Sequence, residues 1–166
     1  AAGAVQPGDE DDYFQSSLFT IARRRILWLL ILVLANGLTT KVIAMNDQIL
    51  KEIVLLAAFI PLLIGTGGNV GAQSSTVVIR GLSTQKLKSL GAIKAVVKEA
   101  ITGALLGVFM MLVVFPFAWW QGEGPLIASA VGISLISITT LAATTGAILP
   151  LLFDRMKLDP ALMSSP

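Results

Sequence analysis

Four apolar runs, over residues 26–44, 49–82, 101–120 and 126–153, constrain this chain more than anything else in it. A membrane-crossing α-helix needs about 20 consecutive apolar residues to span roughly 30 Å of hydrocarbon. The first run reaches about 28 Å at 1.5 Å per residue, so it fits as one helix. Composition agrees: 55% of residues are hydrophobic, 13% are charged and the mean hydropathy is +0.82. A soluble domain needs a more charged surface than that. The sequence therefore predicts an all-α polytopic membrane helix bundle with four spans, its partner being the lipid bilayer.

The segments between the runs set boundaries and orientation. Residues 1–15 combine small residues with the acidic run Asp9-Glu10-Asp11-Asp12 and read as a linker belonging to a longer chain. Phe14, Leu18, Ile21 and Ala22 then fall on one helical face that ends in Arg23-Arg24-Arg25, the pattern of a juxtamembrane amphipathic helix. The chain so divides into a cytosolic linker with that helix, residues 1–25, and a transmembrane domain, residues 26–166. Ten of the twelve Lys and Arg precede span one, lie at the end of span two (Arg80) or between spans two and three, or follow span four. The positive-inside rule then puts both ends in the cytosol. Trp28 and the Trp119-Trp120 pair are placed as interfacial anchors.

The second run is the unusual one. As a single α-helix it would reach about 51 Å, so it must tilt strongly or break. Pro61 removes an amide donor and crowds the carbonyl four residues back, and Gly65, Gly67 and Gly68 each weaken a helix. A helix broken at this Gly-rich motif is the expectation, with carbonyls freed toward an ion. Thr66, Asn69 and Gln73 add polar side chains at the same depth. Polar backbone survives in a bilayer only against protein or a water-filled cavity, so this stretch should line a path.

Other features carry less. Gly103 and Gly107 form a small-xxx-small pair that admits a neighbouring helix. Hydroxyls at Ser134, Ser137, Thr140, Thr144 and Thr145 lie near one side of the fourth run, where such groups usually bond back to their own helix. Asp159-Pro160-Ala161 is a helix-start signal, so both chain ends read as edges of a larger protein. With no cysteine and no histidine, disulfides, thiolate metal sites and the commonest general base are excluded. The ionisable residues near the spans sit at their ends, which argues against an enzyme. The glycines also miss the phosphate-loop spacing: Val70 stands where a GxGxxG register from Gly65 needs its last glycine. The basic residues lie beside apolar runs in short clusters, a membrane-surface pattern, so nucleic acid is set aside.

The run Gly65-Thr66-Gly67-Gly68-Asn69-Val70-Gly71-Ala72-Gln73-Ser74, with Thr76-Val77-Val78-Ile79-Arg80-Gly81-Leu82 after it, closely resembles the signature of the MgtE family of magnesium channels and transporters. The likeness extends to Arg24-Arg25 with Trp28, to Lys98-Glu99, to Gly146-Ala147-Ile148-Leu149-Pro150 and to Asp159-Pro160-Ala161. It implies a homodimer in a bacterial inner (plasma) membrane, with five transmembrane helices per subunit and a pore at the dimer axis lined by the second and fifth. It also implies cytosolic magnesium-sensing domains ahead of the first helix. Neither those domains nor the fifth helix, with its ion-selecting aspartate, can be mapped onto these residues. Magnesium is the ion the resemblance implies. Asn69, Gln73, Thr66, Gly67, Gly68 and Gly65 are the expected lining, Pro61 the expected helix break, and Gly103 and Gly107 the expected packing positions. A coupled cation carrier with alternating access and a non-conducting membrane subunit are the other readings.

Overall fold

The computed structural model of the chain describes residues 18–46, 54–84, 91–121 and 124–156. They form four helices: α1 (Leu18–Met45), α2 (Val54–Ser83), α3 (Ala92–Trp120) and α4 (Gly124–Arg155). Among the described residues there is no strand. Apolar stretches long enough to cross a membrane occupy α2, α3 and α4, and α1 carries the shorter apolar stretch Leu29–Met45. The chain is an all-α integral membrane protein. The acidic run at 9–12, residues 14–17 of the expected amphipathic helix and the helix-start signal at 159–161 lie outside the described residues.

α1 belongs to one compact unit and α2–α4 to a second. In α1 the backbone is helical without interruption from Leu18 through the first span. Thr40 donates its hydroxyl to the Asn36 carbonyl at 3.0 Å, and the Asn46 side-chain amide donates to the Val42 carbonyl at 2.8 Å. The latter bond occupies one of the carbonyls that a helix C-terminus otherwise leaves free.

In the second unit α4 is the central element. It packs antiparallel to α3 across the turn at Gln121, and parallel to α2, while α2 and α3 meet only slightly. Lipid tails are as apolar as leucine, so helices here associate by close packing rather than by escape from water. The α3 face toward α4 is accordingly built on small residues. A Cβ placed on Gly103 would lie 2.6 Å from the Ala143 Cβ and 2.6 Å from the Thr139 carbonyl oxygen. Gly107 lies against Thr139 and Ile136 in the same way. Toward the other end of the pair, Phe59, Val114, Ala118, Ala128, Val131 and Leu135 form the buried apolar cluster.

The break expected in the second helix is absent. α2 runs from Val54 to Ser83 as one helix with Pro61 inside it and Gly65, Gly67 and Gly68 in helical conformation. Pro116 in α3 and Pro150 in α4 are likewise internal. A proline removes one ladder bond and a glycine removes side-chain support. In a bilayer, however, no water competes for the remaining backbone groups, and membrane helices tolerate both residues. At about 45 Å, α2 exceeds the hydrocarbon thickness and accommodates the excess by tilting or by projecting from it.

Candidate functional site

An unbroken α2 turns the glycine motif into a two-faced helix. At 100° per residue, Gly67, Val70, Gly71, Ser74 and Val78 share the side toward the rest of the unit. Gly67 is buried with its Cα beside Ile138, and a Cβ on Gly71 would sit 3.8 Å from that of Ala142. Gly146 of α4 abuts the Gly71 backbone. The glycines on this side serve close approach of α2 to α4.

The opposite side carries Gly65, Asn69, Ala72, Gln73, Thr76 and Arg80, all exposed. Thr76 donates its hydroxyl back to the Ala72 carbonyl at 2.8 Å. Asn69 and Gln73 form no hydrogen bond to another described residue, so both amides point outward with their full capacity. One turn separates them, which places their Cβ atoms about 5–6 Å apart. Of the residues predicted for the lining, the structure puts Gly65, Gly68, Asn69 and Gln73 on the exposed side. Thr66 is half-buried and Gly67 is buried against α4. The carbonyls of residues 65–68 lie within the helix ladder, so the side-chain amides are the free oxygens of this face.

No shared site for a bare cation accompanies them: among the described residues no cluster of three or more carboxylate, His or Cys side chains could hold a metal ion. A second polar feature lies on the buried side, and residue types alone did not reveal it. Ser74, only 4% exposed, donates its hydroxyl to Glu99 Oε2 of α3 at 2.8 Å. Glu99 is helical because α3 begins at Ala92, nine residues ahead of the apolar run expected from 101. The adjacency of Lys98-Glu99 to a span was visible in the sequence; its partner 25 residues away was not.

The hydroxyls of α4 turn inward on their own helix. Ser137, Thr140, Thr144 and Thr145 donate to the carbonyls four residues back, at 2.6 to 3.0 Å. Thr139, fully buried, does the same to the Leu135 carbonyl at 2.8 Å. The hydroxyls of Ser137, Thr140, Thr144 and Thr145 are satisfied within α4, whereas the Asn69 and Gln73 amides of α2 have no partner among the described residues.

The family profile of MgtE, described as a divalent cation transporter, matches residues 60–166, which include the whole two-faced part of α2. The chain belongs to the MgtE family. Among its relatives, the magnesium transporter MgtE of Thermus thermophilus is 38% identical over 142 residues, covering 86% of this chain and 31% of that protein. The magnesium transporter MgtE of Bacillus subtilis is 32% identical over 158 residues, covering 95% of the chain and 35% of the relative. That of Enterococcus faecalis is 32% identical over 149 residues, covering 87% and 32%. The chain thus spans about a third of the length of the curated relatives it matches.

Proposed function

We propose that this MgtE-family chain forms part of a magnesium path through a bacterial inner membrane, with the outward face of α2 as one wall. The observation that carries the reading is the pair Asn69 and Gln73, exposed and without hydrogen-bond partners among the described residues, on a helix apolar enough to span the bilayer. Unsatisfied amides facing hydrocarbon would cost several kcal/mol each, whereas amides facing water or a hydrated ion cost nothing of the kind.

Magnesium releases its waters reluctantly, with oxygens at about 2.0–2.1 Å in its first shell. A hydrogen bond from those waters to an amide oxygen puts that oxygen about 5 Å from the ion. Two amides one helical turn apart can therefore accept from one hydrated ion, and a second copy of α2 across a dimer axis would double the set. A homodimer with the path at its interface fits this geometry, and the cytosolic magnesium-sensing domains implied for the full-length protein would be its further partners. Both chain ends then lie in the cytosol. The relatives named as magnesium transporters support transport over catalysis. A coupled carrier built on a discontinuous second helix is less favoured, since α2 is continuous.

The test is magnesium flux into proteoliposomes by the full-length protein, comparing Asn69→Ala and Gln73→Ala with Leu105→Ala on the exposed apolar face of α3. Losing one water-mediated acceptor of about 1.4 kcal/mol in the rate-limiting position lowers flux about tenfold. The expected result is that drop for both amide variants and parental flux for Leu105→Ala. Parental flux in both amide variants would place the path elsewhere.

A further inference from the structure

We propose that the hydrogen bond from Ser74 to Glu99 is a rotational clamp, which fixes the angle of α2 about its own axis and so determines which residues face the path. The proposal rests on the reading of the outward face of α2 as a wall of that path, and it assigns Glu99 and Ser74 as positioning residues.

The clamp follows from how α2 is held. Its closest approach to α4 is at Gly67, Gly71 and Gly146, with Val70 and Val78 buried on the same side and Phe59 in the apolar cluster. These apolar contacts are non-directional, and the glycines bring the backbones close enough for a directional bond to set the angle. With α3, α2 makes little direct contact. The Ser74–Glu99 bond, at 2.8 Å, is the one side-chain hydrogen bond between different helices among the described residues. Ser74 stands about 140° round the helix from Asn69 and about 100° from Gln73. Holding Ser74 against α3 consequently holds both amides away from it.

The chemistry suits a clamp. A carboxylate acceptor makes the bond charge-assisted, about twice as strong as a neutral pair. In a low-dielectric surrounding that strength is retained, and Ser74 has no water to turn to, being buried. Glu99 stands beside Lys98 near the start of α3 and is half-buried, so its carboxylate can reach the buried Ser74 hydroxyl.

The experiment uses disulfide formation in the full-length protein, because residues 1–166 contain no cysteine and any outside them can be replaced. A Cβ at Gly71 would lie 3.8 Å from that of Ala142, which matches the usual Cβ separation of a disulfide, about 3.8 Å. Gly71→Cys with Ala142→Cys is the in-register pair, and Ala72→Cys with Ala142→Cys the pair one position out of register. The ratio of their oxidation rates reads the angle of α2 and cancels any general loosening. Removing a charge-assisted bond by Ser74→Ala or Glu99→Leu should lower that ratio about tenfold. Ser74→Thr, which keeps the hydroxyl, should leave it within about twofold of the parent, and Glu99→Gln, which keeps an acceptor oxygen without the charge, should lower it only about threefold. An unchanged ratio in Ser74→Ala and Glu99→Leu overturns the clamp, as does a parent that fails to favour the in-register pair. Labelling of Asn69→Cys and Gln73→Cys by a membrane-impermeant thiol reagent reads the path separately. If neither labels, the path assignment falls and the disulfide ratio still judges the clamp; if both label while the ratio stays fixed, the clamp alone falls.

Discussion

Glycine has two uses in this chain, and alanine substitution should separate them. Gly103 on α3 and Gly65 on α2 are both helical, and each Gly→Ala gains helix propensity of at most about 1 kcal/mol, the value in water and an upper bound at membrane depth. At Gly65 no atom lies within 4 Å of the added Cβ, so the gain stands unopposed. At Gly103 the Cβ would lie 2.6 Å from the Ala143 Cβ and from the Thr139 carbonyl oxygen. Carbon atoms in good contact stand about 3.5–4.0 Å apart, so both neighbours are about 1 Å too close. Neither can swing away, since one is backbone and the other is fixed to it. α3 and α4 must separate instead, at an overpacking penalty of about 1–3 kcal/mol. Because neither neighbour yields, the penalty falls at about 2–3 kcal/mol, and after the propensity gain the net loss is about 1–2 kcal/mol, or roughly 2–8 °C in melting temperature for a domain of this size.

The assay is thermal unfolding of the detergent-solubilised full-length protein, followed by size-exclusion recovery, with magnesium flux measured beside it. Gly103→Ala should melt lower by that margin. Gly65→Ala should melt at or above the parental temperature, yet pass less magnesium, because its methyl projects from the same face as Asn69. A parental melting temperature for Gly103→Ala would refute the close-packing argument. An equal fall in both variants would refute the division of glycines into packing and path positions.

Two further substitutions probe the α3–α4 core. Leu135 is fully buried, and Leu135→Ala should destabilise by about 2 kcal/mol, near the low end of the range for such truncations, because in lipid the lost packing is not joined by a large transfer term. A melting temperature unchanged within error would mean that Leu135 faces lipid. Thr139→Val exchanges a hydroxyl bonded to its own helix, at 2.8 Å to Leu135 and 3.2 Å to Ile136, for a methyl of similar size. The carbonyls keep their amide partners, so the loss should stay under about 1 kcal/mol; a larger one would show that the hydroxyl bonds across to α3.

The helices were legible because hydropathy reports lipid depth. Predicted ends at 44, 82 and 120 meet observed ends at Met45, Ser83 and Trp120. The start of α3 was missed for the same reason: Lys94 and Lys98 mark the interface, where hydropathy falls while the helix continues to Ala92. Only the backbone distinguishes those two boundaries. Pro61 and the glycines misled in the opposite direction. Their propensities are measured against water, which offers a freed carbonyl another partner, and α2 at membrane depth has no such alternative.

The glycine motif itself was legible as a set of residue types but not as an arrangement. Read as a broken segment, residues 65–68 present backbone oxygens to an ion; read as a continuous helix, they divide between a side that abuts α4 and a side that abuts nothing in the unit. The second arrangement moves the exposed polar chemistry from carbonyls to the Asn69 and Gln73 amides. It also makes the angle of α2 decisive, because a rotation about the helix axis exchanges amides for glycine and valine. Ser74 is spaced from Asn69 so that one face cannot be oriented without the other. The hydrogen bond to Glu99 and the exposed amide pair lie on different sides of one helix, so a change at Ser74 should be felt at Asn69 and Gln73.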